Sequence, residues 1–301
     1  MNHPARFCMV CALFVTATRL MPDHHYSELR LLSADGTPLF AREWRPAGPA
    51  KAWVTLSHGT SEHSGRYAHV AKAFDDAGVG LVMADLRGSG QSPGKRGHIE
   101  RFSQYCDDVK AAIRHTQSHQ PAVHFLGGHS LGGLIAACIA TENPEGIDGV
   151  FLSCAAFQLG FAPAPWKLAL SRVLATLWPS LPISNEIDVA QLSRDASVGE
   201  SQQRDPYNHG KVTPSMFLAF IQAQQQVMQD APNIELPMLV MHGGADAISA
   251  CEGSERFFAK LRTDNKALKI YDGMYHEIFN ELGKEQVFSD VLDWMAKVGE
   301  Q

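Results

Sequence analysis

The 301-residue chain lacks a bilayer-spanning apolar run. Its best candidate, FCMVCALFVTA at 7–17, is about half the length a membrane helix needs. It also lacks an excess of positive charge. With 26 Lys and Arg against 32 Asp and Glu, the net charge is -6, which leaves no global field to hold a phosphate backbone and excludes nucleic acid as an expected partner. The six cysteines, Cys8, Cys11, Cys106, Cys138, Cys154 and Cys251, are scattered, and the close pair Cys8 and Cys11 has no second pair downstream. Neither a disulfide framework nor a zinc site is expected. No H-E-x-x-H pattern, internal repeat or low-complexity tract occurs. What remains, 45% hydrophobic and 19% charged, is the composition of a globular protein with a large core.

The first twenty residues stand apart. Arg6 precedes the apolar run, and Val15-Thr16-Ala17 after it resembles a signal-peptidase site, so export is one reading. The reading preferred takes Met21 as the start, because the fold-like pattern begins only after it and one arginine makes a weak leader. A cytoplasmic protein follows.

Beyond Met21 the pattern is regular. ELRLLS and PLFAREW flank Asp35-Gly36 and read as an antiparallel hairpin. Apolar runs at 52–59, 79–88, 122–130, 149–156, 237–246 and 267–273 end in Gly, Asp or Ser, as strands buried on both faces do. Helical periodicity separates them at 67–77, 102–118, 131–141, 252–261 and 287–298. The alternation predicts a mostly parallel central sheet with helices on both faces. One interval, 157–236, holds no convincing strand but two helical stretches at 165–179 and 213–229, the second opened by Thr213 as N-cap and Pro214. It is read as a helical cap inserted after a central strand, with 21–156 and 237–301 as the core.

In LGGHSLGG, beginning at Leu126, four glycines surround Ser130 where a strand meets a helix. A turn this sharp strains its own residue and leaves no room for neighbouring side chains, and it lifts the hydroxyl toward the helix N-terminus, where backbone N–H groups can hold an oxyanion. Serine is a weak nucleophile, so a base and an orienting acid must follow, each past a strand end. His276 in KIYDGMYHE supplies the base and Asp246 at the end of MLVMHGGAD the acid. Asp272 is a rival that lies too near His276 in the same loop. The N–H groups of Leu131 and Thr60, the latter in SHGTSEHSGRY, are the expected oxyanion donors. His58, His129 and His242 read equally as turn or supporting residues, and a metal on His58, Glu62 and His63 is disfavoured.

Taken together, HGTSEHSGRY, DLRGSGQSPGKRGHIERF, GHSLGG, HGGAD and LKIYDGMYHE make the chain resemble the monoacylglycerol lipase and lysophospholipase-like serine hydrolases of the α/β-hydrolase superfamily, over about 28–298. The resemblance implies the α/β-hydrolase fold and carries over Ser130 as nucleophile, His276 as base, Asp246 as its partner, and Thr60 and Leu131 as oxyanion donors. It implies a lipid ester substrate, most directly a monoacylglycerol, and no cofactor or metal. Where Ser89 stands the family more often has histidine, a departure that concerns packing under the site and no triad residue.

Within 165–179, Trp166, Leu170, Val173, Leu174, Leu177 and Trp178 give more apolar surface than one buried stripe needs. They read either as an acyl channel and lid with transient membrane contact or as ordinary cap packing. Lysophospholipase, thioesterase and general carboxylesterase activities are the alternatives within enzymes, and a non-catalytic receptor on the same fold is the alternative outside them. A dehalogenase or epoxide hydrolase is disfavoured, because those use an aspartate nucleophile where Ser130 stands. Oligomeric state is not legible.

Overall fold

The computed structural model describes residues 25–161 and 164–300; the apolar segment 1–20, with both readings of it, lies outside them. A hairpin opens the described chain, β1 (His25–Leu32) antiparallel to β2 (Pro38–Arg45) with Leu32 opposite Pro38. The turn between them places Gly36 at φ 81°, which glycine adopts without strain. There follow β3 (Ala52–Ser57), α1 (Ala68–Asp76), β4 (Val79–Ala84), α2 (Ser103–Gln117), β5 (His124–His129), α3 (Leu131–Ala140) and β6 (Gly149–Ser153). The inserted interval holds α4 (Pro165–Leu177), β7 (Ile183–Ser184), α5 (Ala196–Arg204), β8 (Lys211–Val212) and α6 (Pro214–Asp230). The chain closes with β9 (Met238–Gly243), α7 (Cys251–Lys260), β10 (Lys266–Tyr271) and α8 (Lys284–Gly299).

Eight strands form one sheet in the order β1-β2-β4-β3-β5-β6-β9-β10, antiparallel at the β1-β2-β4 end and parallel elsewhere. Strands β3, β4, β5, β6 and β9 are buried at every position, as strands covered on both faces must be. Successive side chains divide between the two faces. Phe125, Phe151, Leu239 and Met241 meet α1 and α8 through Val70, Phe74, Val291 and Trp294. Leu126, Val150, Leu152 and Val240 meet α2, α3 and α7 through Val109, Ile135 and Phe257. Among the described residues no helix is long and apolar enough to cross a membrane.

The inserted interval departs from expectation in two respects. It contains a strand pair, with Ile183 opposite Val212, and the helix α5, neither of which the sequence reading anticipates. Two-residue strands are too short to show alternation, and the polar ASVGESQQR has no apolar stripe to reveal it; Asp195 caps it by accepting from Ser197 N. Helix α6, capped by Thr213 Oγ1 accepting from Met216 N at 3.3 Å, buries Met216, Phe220, Ala223 and Val227 in the same core as α3. It packs on the core helix α3 as well as forming part of the insertion. Helix α4 lies across α6 and has no buried residue.

Truncation should separate these two helices. Phe220→Ala should cost about 3 kcal/mol or more by urea unfolding, because Phe220 is 7% exposed within the core. Trp166→Ala, at a side chain 63% exposed, should stay within about 0.5 kcal/mol of the parent.

Candidate active site

Strand β5 enters α3 through a single residue. Ser130 has φ 53° and ψ -117°, a conformation that costs a residue with a Cβ of order 1–3 kcal/mol and persists only when its surroundings enforce it. Three backbone bonds do so: Ser130 N donates to Ser153 O at 2.9 Å, and Ser130 O accepts from Leu134 N at 3.1 Å and Ala156 N at 3.0 Å. The left-handed conformation thus belongs to the serine, not to its glycines, whose role is clearance. A Cβ on Gly128 would lie 2.2 Å from Gly132 O, and one on Gly132 would lie 2.2 Å from Ser57 O. Any larger residue would push α3 off the ends of β3 and β5.

At this turn His276 Nε2 lies 2.9 Å from Ser130 Oγ, and His276 Nδ1 lies 2.7 Å from Asp246 Oδ2. The side chains of His276 and Asp246 are 4% and 0% exposed, so both interactions are shielded from water. Asp246 Oδ1 accepts from Ile248 N at 2.8 Å and Ser249 N at 3.0 Å. His242 adds to this support. Its Nδ1 faces Ser254 Oγ at 2.8 Å, while its Nε2 lies 3.0 Å from Ser249 O and 3.1 Å from Asp246 Oδ2, so the ring donates from Nε2. Burial would raise the Asp246 pKa, but the His276 charge and the bonds from His242 and His276 outweigh it and hold the carboxyl well below its usual range. Burial likewise opposes protonation of His276, yet the Asp246 charge and hydrogen bond raise its pKa above the ordinary value. The rival Asp272 is exposed and is not the acid that contacts His276.

Opposite the serine runs the loop after β3. A Cβ on Gly59 would lie 3.2 Å from Ser130 Cβ, so this backbone passes directly beside the hydroxyl-bearing carbon. Thr60 follows in the cavity wall. Leu131 is the first residue of α3, where helix N–H groups point outward. His58, Glu62 and His63 do not converge on a common point. His58 Nδ1 donates to Gly59 O and its Nε2 accepts from Leu86 N, while His63 Nε2 donates to Asp205 Oδ2 at 2.8 Å. His129 faces Ser153 Oγ at 3.1 Å, and burial followed by the neighbouring His276 charge lowers its pKa to about 3, keeping it neutral. Ser89 lies buried in the turn after β4, its N–H donating to Leu86 O.

The sequence reading missed a buried ionic bridge. Arg66 binds Glu62 Oε2 at 2.6 Å and both oxygens of Glu277 at 2.8 Å, and Glu62 Oε1 also accepts from Gly59 N at 2.5 Å and Tyr67 Oη at 2.8 Å. It ties the Gly59 loop to the His276 loop. The available cue was slight: an i,i+4 Glu62/Arg66 pair in a glycine-containing loop, and an acid directly after the histidine.

Above Ser130 lies a cavity of about 270 Å³ lined by the apolar Ile187, Val189 and Leu192 and by polar groups, among them Asn185, Gln202, Asp205, Asn208 and His209. Its roof is the 183–210 segment, which includes the unanticipated α5. Trp166, Leu170, Leu174 and Trp178, expected to line an acyl channel, are absent from this wall. They sit on or beside α4, which crosses the outside of α6. Leu174 is half-buried, whereas Trp166, Leu170, Val173, Leu177 and Trp178 are exposed.

A family model, Hydrolase_4, described as serine aminopeptidase S33, matches residues 48–283. A monoacylglycerol lipase of Mycolicibacterium smegmatis is 32% identical over 272 residues, covering 90% of this chain and 97% of that protein. An uncharacterized abhydrolase domain-containing protein of Dictyostelium discoideum is 32% identical over 269 residues, 89% of this chain; the chain spans only 28% of that protein's length. Among solved structures, the monoacylglycerol lipase of Paleococcus ferrophilus superposes with a TM-score of 0.80 at 31% identity, covering 86% of this chain and 99% of that one. The α/β-hydrolase fold is common to them.

The opposed effects on His276 yield a titration test. Because its folded pKa is raised, the stability it contributes is complete below its ordinary value of 6.5 and is lost as pH climbs through the folded pKa. Asp246→Asn removes the raising charge and leaves burial to dominate. The His276 ring resonances should then titrate below 6.5 instead of above it; an unchanged midpoint in the NMR titration would mean that another group sets it.

Proposed function

The chain belongs to the Hydrolase_4 family, described as serine aminopeptidase S33, and from that premise we propose that it hydrolyses lipid carboxylic esters, with monoacylglycerol as substrate and an acyl-enzyme as intermediate. The observation that carries this reading is the hydrogen-bonded chain from Asp246 through His276 to Ser130, standing at a strained turn beneath a cavity with both polar and apolar walls.

His276 Nε2 takes the proton from Ser130 Oγ as the oxygen attacks the ester carbonyl, and Asp246 holds the Nδ1–H and balances the imidazolium. The N–H groups of Leu131 and Thr60 receive the oxyanion. Collapse expels the alcohol, which leaves with the proton from Nε2. Water activated by the same nitrogen then releases the fatty acid and restores Ser130.

Two features of the cavity favour a neutral polyol head. Asn208 Oδ1 and His209 Nε2 are buried with no hydrogen-bond partner among the described residues, and both residues line the wall. Since His209 Nδ1 accepts from Lys211 N, its Nε2 carries the hydrogen; a hydroxyl can donate to the first atom and accept from the second. The wall also carries Glu62, Asp205 and Glu277, a charge that repels a phosphate-bearing head.

The exposed apolar residues of α4 serve the other half of the substrate. Trp166, Leu170, Val173 and Leu177 recur at the spacing of one helix face and are 63%, 46%, 53% and 77% exposed. Such a face rests on a lipid surface with its tryptophan at the headgroup level. The contact is peripheral and transient.

Kinetics test the chemistry. Ser130→Ala and His276→Ala should each lower kcat by about 10⁴- to 10⁶-fold, their combination should be hardly worse, and Asp246→Asn should cost less. In the parent, monoacylglycerol should exceed lysophosphatidate in kcat/KM by at least about tenfold. Fluorophosphonate labelling at a residue other than Ser130 would defeat the assignment.

Leu177→Asp tests the surface contact, since this side chain is free of the core. Turnover of long-chain substrate in vesicles should fall several-fold, with the rate on a short soluble ester and the melting temperature unchanged. Equal losses on both substrates would show that α4 is scaffold alone.

A further inference from the structure

Glu43, on β2, points to the face of the sheet that α2 covers, together with Ala41. Its carboxylate side chain is 1% exposed, and two histidines from the far end of α2 reach it. His115 Nε2 lies 2.6 Å from Glu43 Oε2, and His119 Nε2 lies 3.0 Å from the same oxygen. The three candidate ligand atoms all fall within 4.8 Å of one another. Both imidazole side chains are 16% exposed, so an ion can reach them from solvent.

We propose that Glu43, His115 and His119 form a binding site for a divalent transition-metal ion of the zinc class, remote from Ser130 and serving to fasten the β1–β2 hairpin to α2. Two imidazole nitrogens and one carboxylate oxygen make a donor set that suits this class, leaving a fourth position for water. In a tetrahedral zinc site with bonds near 2.0–2.1 Å the ligand atoms stand roughly 3.3 Å apart. The observed 2.6 and 3.0 Å separations need only a small spreading to admit an ion. Each ring binds through its Nε2 lone pair and carries its proton on Nδ1.

The surroundings fit a cation. His115 lies in the last turn of α2 and His119 just past it, where the carbonyl ends of the helix favour positive charge. The His119 ring packs against Trp53, centroids 4.5 Å apart, which fixes its plane. Arg45 pairs with Glu43 Oε1 and lies over the Trp53 ring, half-exposed, leaving Oε2 as the metal-facing oxygen. The site is invisible to motif reading, because 72 residues separate Glu43 from His115.

The test uses the full chain, stripped with a chelator and titrated with zinc chloride. The parent should retain one zinc ion per chain after desalting and melt at a higher temperature than the stripped form. His115→Ala and Glu43→Gln should each weaken binding by at least about tenfold and abolish the thermal shift, while leaving hydrolysis of a soluble ester unchanged. Cobalt(II) bound to the unaltered chain should broaden the His115 and His119 ring resonances first, a measurement that needs no variant. Among the described residues Cys154, Asp246 and His276 form a second cluster of potential ligands. No retention of zinc by the parent, or retention that survives loss of His115 and Glu43 but not of His276, would overturn the proposal.

Discussion

The register of the parallel ladder is the constraint on which the site depends. Ser57 pairs with Gly128, His129 with Ser153, Ser153 with Met241, and Gly243 with Tyr271, so β3, β5, β6, β9 and β10 all end at the same edge of the sheet, staggered by a few residues. The loops that follow these strands therefore emerge side by side. Gly59, Ser130, Asp246 and His276 come from four of them, and none could reach its neighbours if one strand slipped by a residue, because a one-residue slip turns every side chain to the opposite face. Burial of both faces by α1 and α8 on one side and α2, α3 and α7 on the other makes such a slip costly.

Side-chain bonds then fix what the ladder leaves loose. Arg66 joins the Gly59 loop to the His276 loop through Glu62 and Glu277. The roof is fastened to that same loop: His63 donates to Asp205, His209 N donates to Ser61 O, and Asn185 donates to Ser61 Oγ. Glu277 N donates to Leu192 O at 2.7 Å from the other side. The wall of the cavity and the loop that carries His276 are thus parts of one polar network, and a change in the roof is felt at His276.

How much of this was legible depended on the range of the interaction that encodes it. Strand runs such as VGLVMA and the crowded glycines around Ser130 announce themselves locally, since burial on two faces and steric clearance act on neighbours in sequence. The positions of Asp246 and His276 past strand ends, which bring them to Ser130, were legible because each apolar run ends just before them. The roof was not, because α5 is polar and β7 and β8 are two residues each, so nothing periodic marks them. Leu174 illustrates a subtler failure. The count of apolar residues placed it with Trp166, Leu170, Val173, Leu177 and Trp178, but the packing of α4 on α6 turns it partly inward while the others stay exposed. Glu62, Arg66 and Glu277 are charged residues in loops, which sequence alone reads as solvated; only the fold brings them into the interior.

The backbone at Ser130 also sets chemistry against durability at one position. Glycine would occupy φ 53° without strain, yet in the proposed reaction it is the serine oxygen that attacks the ester. Selection for turnover therefore holds the chain away from its most stable sequence at the very point where sheet and helix join. A more heat-tolerant descendant must find its gains elsewhere, at the surface or in the loops, while this residue keeps its unfavourable shape.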